Sequence, residues 1–336
     1  MSEHLLETRN LALHYPVRGG LFGKRRGLVR AVDGVDLGVR KGETLGLVGE
    51  SGCGKSTLAR LLLRLATPTS GQVLLEGEDV FAKRGAELAQ LRRDVQMVFQ
   101  NPSASVNPRL SVGEIIAEPL RIQRQPDVRR RVSELMELVG LHPDHRDRYP
   151  HEFSGGQRQR MGIARAIALR PKVVICDEPV SALDVSIQAQ ILELLKGLQR
   201  ELGLTYVFIT HDLSVVKHLC DRVAVMYLGK VVEVADRADF FAAPAHPYTA
   251  SLLSAIPLPD PEAEARRQRV VLAGDVPSAM HPPTGCAFHP RCPKAQEQCA
   301  QDAPPLVESG HRATSCFFPL RPGESLRPPA EDGAPA

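Results

Sequence analysis

The sequence predicts an α/β fold: a phosphate-binding core on a mixed or mostly parallel sheet, a helical subdomain, and a small cysteine-containing extension at the carboxyl end. Three observations predict it. A glycine loop, Gly49-Glu50-Ser51-Gly52-Cys53-Gly54-Lys55-Ser56-Thr57, separates an apolar run at 43–49 from a run of helical apolar spacing at 57–65. A second apolar run, 170–177, ends in Asp177 with Glu178 next to it. A third, 205–210, leads into His211. Short apolar runs of this kind read as parallel strands buried on both faces.

The loop comes first because strand, glycine loop and helix together give the motif its meaning. Glycines let the backbone turn tightly enough to aim successive N–H groups at phosphate oxygens, and the helix N-terminus adds its positive end. Lys55 is placed to reach the β- and γ-phosphates, and the Ser56 hydroxyl to hold Mg²⁺. The acidic strand follows. Carboxylates at the C-terminal edge of such a strand lie in the crevice where open α/β sheets bind ligands. Asp177 can enter the metal shell there, leaving Glu178 to polarise a water. Upstream of it lies Phe153-Ser154-Gly155-Gly156-Gln157. Ser154 is a good N-cap, so a helix from about 157 to 169 points its positive end outward.

In this order (phosphate loop, Ser-Gly-Gly-Gln signature, acidic strand) the chain resembles an ATP-binding cassette (ABC) ATPase, an ABC-type P-loop fold. The resemblance extends to single residues. Gln100 matches the glutamine loop, and Asp184, in Ser181-Ala-Leu-Asp184, the loop that crosses a dimer seam. His211 matches the switch histidine, and Tyr15 the aromatic set against adenine. It implies that Glu178 activates water, that His211 steadies the γ-phosphate, and that Gln100 senses metal and nucleotide, with ATP and Mg²⁺ as ligands. It also implies that Ser154, Gly155, Gly156 and Gln157 meet the nucleotide of a second cassette. One phosphate loop and one signature are present, so that cassette comes from another chain, as a heterodimer.

Composition sets the frame. A chain of 336 residues, 43% hydrophobic, suggests about two domains with a sizeable core. A net charge of +3 with no tryptophan and 4% aromatics gives no sign of a nucleic-acid surface. The basic clusters at 24–26 and 129–131 read as solvated faces. The longest stretch without a formal charge, 240–259, holds Pro244, Pro247, Pro257 and Pro259, which rules out a regular spanning helix there. The amino terminus lacks the basic and apolar regions of a signal peptide. The chain is expected to stay in the cytoplasm, with any membrane contact made through partners; the resemblance implies a peripheral place on the cytoplasmic face of the inner membrane.

Short strands with glycine turns are expected up to about 95, a helical part over about 101–170, and further strand–helix alternation from 171 to about 234. The expected organisation is a nucleotide-binding domain over 1–260, an extension over 261–320 and a disordered end over 321–336. Cys53, Cys176 and Cys220 are scattered, and read as small buried residues. Cys286, Cys292, Cys299 and Cys316 cluster in the extension, at spacings unlike paired zinc knuckles. That segment, together with Gln100-Asn-Pro-Ser-Ala-Ser-Val-Asn-Pro-Arg109 and His246-Pro-Tyr-Thr249, resembles the oligopeptide and dipeptide importer ATPases, and most nearly their second ATPase subunit. This resemblance implies a [4Fe–4S] cluster on the four cysteines, with zinc as the alternative. The implied partners are a second ATPase subunit, two membrane permease subunits and an extracytoplasmic solute-binding protein, and no nucleic acid. The implied function is ATP hydrolysis coupled to peptide uptake. The alternatives are the same role for nickel, glutathione or another small solute, and a soluble nucleic-acid-associated cassette, which usually carries two cassettes, long coiled coils or inserted zinc modules.

Overall fold

The structure, a computed structural model, describes residues 4–19, 24–101, 106–256, 272, 274–324 and 326. The expected boundary at 257–261, residues 102–105 of the loop after Gln100, the side chains of 24–26 and most of the 321–336 end lie outside the described residues.

The described strands form two sheets. The smaller is antiparallel, in the spatial order β2 (Lys24–Val39), β1 (Leu6–Gly19), β4 (Ser70–Leu75) and β5 (Glu78–Asp79). The larger runs β11 (Val307–Ser309), β12 (Arg312–Thr314), β10 (Lys230–Asp236), β9 (Arg222–Tyr227), β3 (Thr44–Val48), β8 (Thr205–Ile209), β7 (Val173–Asp177), β6 (Val95–Val98). From β9 to β6 the strands are parallel; β10, β12 and β11 continue the sheet antiparallel.

The parallel strands follow from their side chains. Along β8, Tyr206 and Phe208 enter one core and Val207 and Ile209 the other; along β7, Val174 and Cys176 oppose Val173 and Ile175 in the same way. A strand with apolar residues at both parities can be covered on both faces, which is why these runs lack polar alternation. One core is closed by the antiparallel sheet with α1 (Lys55–Leu62) and α2 (Gly85–Asp94). The other is closed by α3 (Val112–Ile122), α4 (Val128–Leu138), α5 (Gly155–Ile167) and α6 (Val185–Leu202), joined by α7 (Leu213–Leu219), α8 (Arg237–Ala242) and α9 (Pro247–Ser254). A last short helix, α10 (Glu297–Gln301), lies in the carboxyl-terminal region.

The first strands depart from expectation: β1 and β2 are 14 and 16 residues long, not short. Register shifts after Thr8, Leu11, Leu13 and Val17 let this hairpin bend, as bulges do, without ending its pairing. α4 ends just before Gly140, whose φ of 72° is the left-handed conformation that closes a helix. The carboxyl-terminal region joins the main sheet, with Glu233 and Val234 of β10 facing Thr314 and Ala313 of β12. Among the described residues no helix is long and apolar enough to cross a membrane.

Candidate active site

Four neighbouring parallel strands, β6, β7, β8 and β3, send their C-terminal ends to one edge of the sheet. Gln100 follows β6, Asp177 and Glu178 close β7, His211 follows β8, and the 49–57 loop follows β3. This is the crevice of an open α/β sheet, assembled from residues up to 162 positions apart (Gly49 to His211).

The loop is shaped for close backbone approach. Gly49 and Gly54 have φ of 152° and 109°, and an added Cβ would lie 2.3 Å from the Met226 carbonyl and 2.1 Å from the Ala31 carbonyl. No side chain fits at either place. Cys53 is buried at this turn, its carbonyl accepting from the Gly229 N–H at 2.9 Å. Lys55 opens α1, is 7% exposed, and donates to the Gly49 and Glu50 carbonyls at 2.7 and 2.9 Å. Its ammonium is thereby parked inside the loop it would serve. Ser51 is exposed and Gly52 is left-handed (φ 77°). Thr57 continues α1.

Glu178 is held at both carboxylate oxygens. The Gln100 amide donates to Oε2 at 3.0 Å, and His211 Nδ1 is 2.9 Å from Oε1. Its backbone is left-handed (φ 46°), which costs a residue with a Cβ roughly 1–2 kcal/mol. The neighbours hold it there: its N–H donates to the Ile209 carbonyl at 2.9 Å, and its own carbonyl accepts from the Ser181 hydroxyl at 3.1 Å. Strain kept by such contacts aims the carboxylate away from β7 into the crevice.

Ser56 Oγ and Asp177 Oδ1 are 3.5 Å apart. Adjacent ligands of an octahedral Mg²⁺ at about 2.1 Å stand about 3 Å apart, so hydroxyl and carboxylate fit one coordination sphere. Burial pushes the Asp177 carboxyl up, opposed by the Ser56 hydrogen bond and reinforced by the Glu178 charge. A carboxylate in that position gains from a cation beside it.

The Ser-Gly-Gly-Gln segment opens α5. Ser154 and Gln157 form a reciprocal cap, with Gln157 N–H to Ser154 Oγ at 3.3 Å and Ser154 N–H to Gln157 Oε1 at 3.0 Å. The observed helix begins at Gly155, two residues before the expected start. Gly156 is needed for packing, since a Cβ would lie 2.6 Å from Ile187 Cγ2. Ser154 and Gly155 are exposed, as is Asp184 with its neighbour Val185, an aliphatic side chain 82% in solvent. Tyr15 lies on β1 opposite Val29, two residues before the Ala31 carbonyl that abuts Gly54, and its ring is partly exposed.

The expected [4Fe–4S] cluster is corrected. Among the described residues no three His, Cys, Asp or Glu side chains are grouped to hold a metal ion. Cys286, Cys292, Cys299 and Cys316 do converge, with Phe288 and Phe317, but on a cavity of about 10 Å³. That is room for about one water, far short of a cubane. Burial pushes Cys292 up to about 12 and Cys316 up to about 11, so without a cation beside them these thiols stay protonated. The lack of a grouped ligand set among the described residues counts equally against zinc. Cys286 and Cys292 pack against the core that holds Phe288, and all four thiols line the same small cavity as that ring, as free cysteines commonly sit among apolar groups.

Sequence reasoning missed the surroundings of Glu50. Its N–H donates to the Tyr248 hydroxyl at 3.0 Å, and its carboxylate meets Arg291 at 3.1 Å. Arg291 also reaches the Tyr227 hydroxyl at 3.4 Å. Tyr227 meets Phe288 edge-to-face and Tyr248 meets it tilted, at centroid distances of 5.3 and 5.4 Å. The segments carrying Tyr248 and Arg291 were legible as motifs, but no periodicity joins residues 241 positions apart.

Comparison with known proteins accords with this geometry. Residues 32–181 match the family "ABC transporter", and residues 232–299 the family "Oligopeptide/dipeptide transporter, C-terminal region". The oligopeptide transport ATP-binding protein OppF of Salmonella typhimurium is 53% identical over 320 residues, covering 93% of this chain and 96% of its own. The dipeptide transport ATP-binding protein DppF of Escherichia coli is 50% identical over 321 residues, covering 94% and 95%. Among solved structures, cbiO1 of Clostridium perfringens, part of the transporter complex cbiONQ, aligns with a TM-score of 0.63 at 29% identity, over 72% of this chain and 92% of its own. The ATP-binding cassette MJ0796, a dimer in a post-hydrolysis state bound to ADP and Pi, aligns with a TM-score of 0.61 at 30% identity, over 69% and 98%.

Proposed function

The chain belongs to the ABC transporter ATPases, in their oligopeptide and dipeptide branch, and we propose on that premise that it is the ATP-hydrolysing subunit of a membrane importer of peptides. The observation that carries the chemistry is the grip on Glu178. A carboxylate fixed at both oxygens by Gln100 and His211, at the mouth of a crevice beside a phosphate loop, is placed as a general base.

On this reading the triphosphate of ATP lies along the 49–57 loop, and Lys55 exchanges its two carbonyl partners for phosphate oxygens. The glycine backbone and the start of α1 supply N–H groups to the same oxygens. Ser56, Gln100 and Asp177 would hold Mg²⁺, which offsets charge on the β- and γ-phosphates when bound. Glu178 orients a water in line with the γ-phosphorus and takes its proton. His211 holds Glu178 in place and steadies the γ-phosphate. Tyr15 covers the adenine. The exposed Ser154–Gly155 end of α5, with Asp184 and Val185, faces the nucleotide of a second cassette across a dimer seam. That burial would cover an aliphatic side chain now in solvent.

The remaining assembly comes from partners: a second ATPase subunit, two permease subunits and an extracytoplasmic binding protein, with this chain peripheral on the cytoplasmic face. The expected division into a nucleotide-binding domain over 1–260 and an extension over 261–320 belongs to the same reading. The test is reconstitution of the chain with its permeases, partner ATPase and binding protein in vesicles. ATP hydrolysis stimulated by peptide-loaded binding protein, with labelled peptide accumulating, is the expected result. Hydrolysis indifferent to peptides but stimulated by nickel or glutathione would overturn the peptide assignment.

A further inference from the structure

The phosphate loop is gripped from outside the cassette core. Glu50 directly follows the first glycine of the loop and brings a negative charge into a cradle meant for a polyanion. Its carboxylate does not stand alone: the Arg291 guanidinium approaches both of its oxygens, at 3.1 to 3.4 Å. Arg291 is 10% exposed and Glu50 27%, so the pair is partly desolvated and the Coulomb interaction is less screened than on a surface. The arginine is itself placed by packing. It ends the short 3₁₀ turn His289–Arg291, directly after Phe288, which is 1% exposed and packed against the rings of Tyr227, Tyr248 and His246. The same aromatic set carries the Tyr248 hydroxyl that accepts from the Glu50 N–H.

We propose that Arg291, in the carboxyl-terminal region, is a positioning residue for ATP: it pins Glu50 outside the cradle and offsets the charge that would repel the phosphates. The inference rests on the nucleotide site described above and adds that the carboxyl-terminal region takes part in it. Arg291 touches no phosphate in this scheme; it acts through Glu50. Its grip uses the terminal nitrogens, since Nε is buried without a hydrogen-bond partner. A lysine would therefore keep the charge and lose the fork.

The test is Mg-ATP affinity of the full-length chain by calorimetric titration, with the thermal midpoint recorded for each protein. Arg291→Ala should weaken binding about tenfold, the equivalent of about 1.4 kcal/mol for one partly screened charge. Arg291→Gln, which keeps the stem and its packing, should lose as much, and Arg291→Lys should recover most of it. Adding Glu50→Gln to either neutral variant should restore affinity to within about threefold of Glu50→Gln alone, because the uncompensated charge is then gone. A lowered thermal midpoint with wild-type affinity in Arg291→Gln would reduce Arg291 to a structural strut and overturn the proposal. So would an affinity loss that Glu50→Gln leaves unrepaired. Failure of the wild-type chain to bind Mg-ATP would instead strike the functional reading itself.

Discussion

Lowering the pH from 7 to 5 should destabilise this protein through one histidine. His246 is 1% exposed and caps α9, its Nδ1 accepting the Tyr248 N–H at 3.0 Å. That contact requires an unprotonated Nδ1, so the folded state holds the neutral ring. Burial, opposed by a hydrogen bond to the Ser315 backbone, pushes its pKa down to about 3. In the unfolded chain the ring titrates near 6.5. Between those values the unfolded state carries the extra proton, so stability rises with pH and is lost as pH falls from about 6.5 towards 3. From pH 7 to pH 5 the unfolded ring gains most of one proton and the folded ring almost none. The resulting loss is about 2 kcal/mol, near one pKa unit's worth for each pH unit below 6.5. The comparison protein is His246→Asn, a good cap that does not titrate. Its pH-independent packing cost cancels when each protein is compared with itself at the two pH values. The nearby Glu233 carboxylate, which accepts from the His246 backbone N–H at 2.8 Å, is common to both proteins. The chain has no tryptophan, so urea unfolding is followed by circular dichroism at 222 nm. The wild type should lose about 2 kcal/mol more than the variant between pH 7 and 5. Parallel losses would show that the ring is protonated in the fold, and would refute the argument.

Glu178→Gln keeps the shape and both neighbours of the side chain but removes the base, so Mg-ATP should still bind while turnover falls by about 10²-fold or more; near-normal hydrolysis would remove Glu178 from its role. Gly155→Asp sets a carboxylate on the exposed end of α5, and the mutant should bind its own ATP yet fail to support hydrolysis at a partner cassette. If it lost its own ATP binding and left the partner's turnover intact, the composite-site geometry would be reversed. Gly49→Ala places a Cβ 2.3 Å from the Met226 carbonyl, so ATP affinity should collapse in a protein that keeps its far-ultraviolet spectrum, and wild-type affinity would argue that the loop is not the cradle.

Much of the core was readable because its signals are local. A strand such as β7 announces itself by an unbroken apolar run, and Asp177 and Glu178 announce its exposed end. The start of α5 was within two residues of expectation because a Ser-to-Gln cap is written in four consecutive letters. Long β1 and β2 were misjudged for the converse reason. Bulges break the two-residue period at several points, so a continuous ladder reads as short pieces. The cysteine cluster misled in another way: spacing along the chain indicates that thiols can meet, but not whether they enclose a metal-sized space or close on one another. Here Phe288 lines the same small cavity as the four thiols, and the rings packed on it come from β9 and α9.

The contacts that sequence could not show have one physical character: they are polar bonds made through an apolar scaffold. Glu50, Tyr248 and Arg291 each sit in segments that can be read singly, yet their meeting depends on Tyr227, Tyr248 and Phe288 packing first. The order of cause is therefore packing, then placement, then electrostatics. A buried ring brings a guanidinium within 3.1 Å of a loop carboxylate, and only then does charge act on the nucleotide site. The same order places Glu178. Its left-handed backbone is held by the Ile209 carbonyl of a neighbouring buried strand before Gln100 and His211 can hold its oxygens. Packing changes beneath the loop, such as shaving Phe288, should therefore affect the phosphate loop before they affect Glu178, because Phe288 packs on the Tyr248 ring whose hydroxyl accepts from the Glu50 N–H.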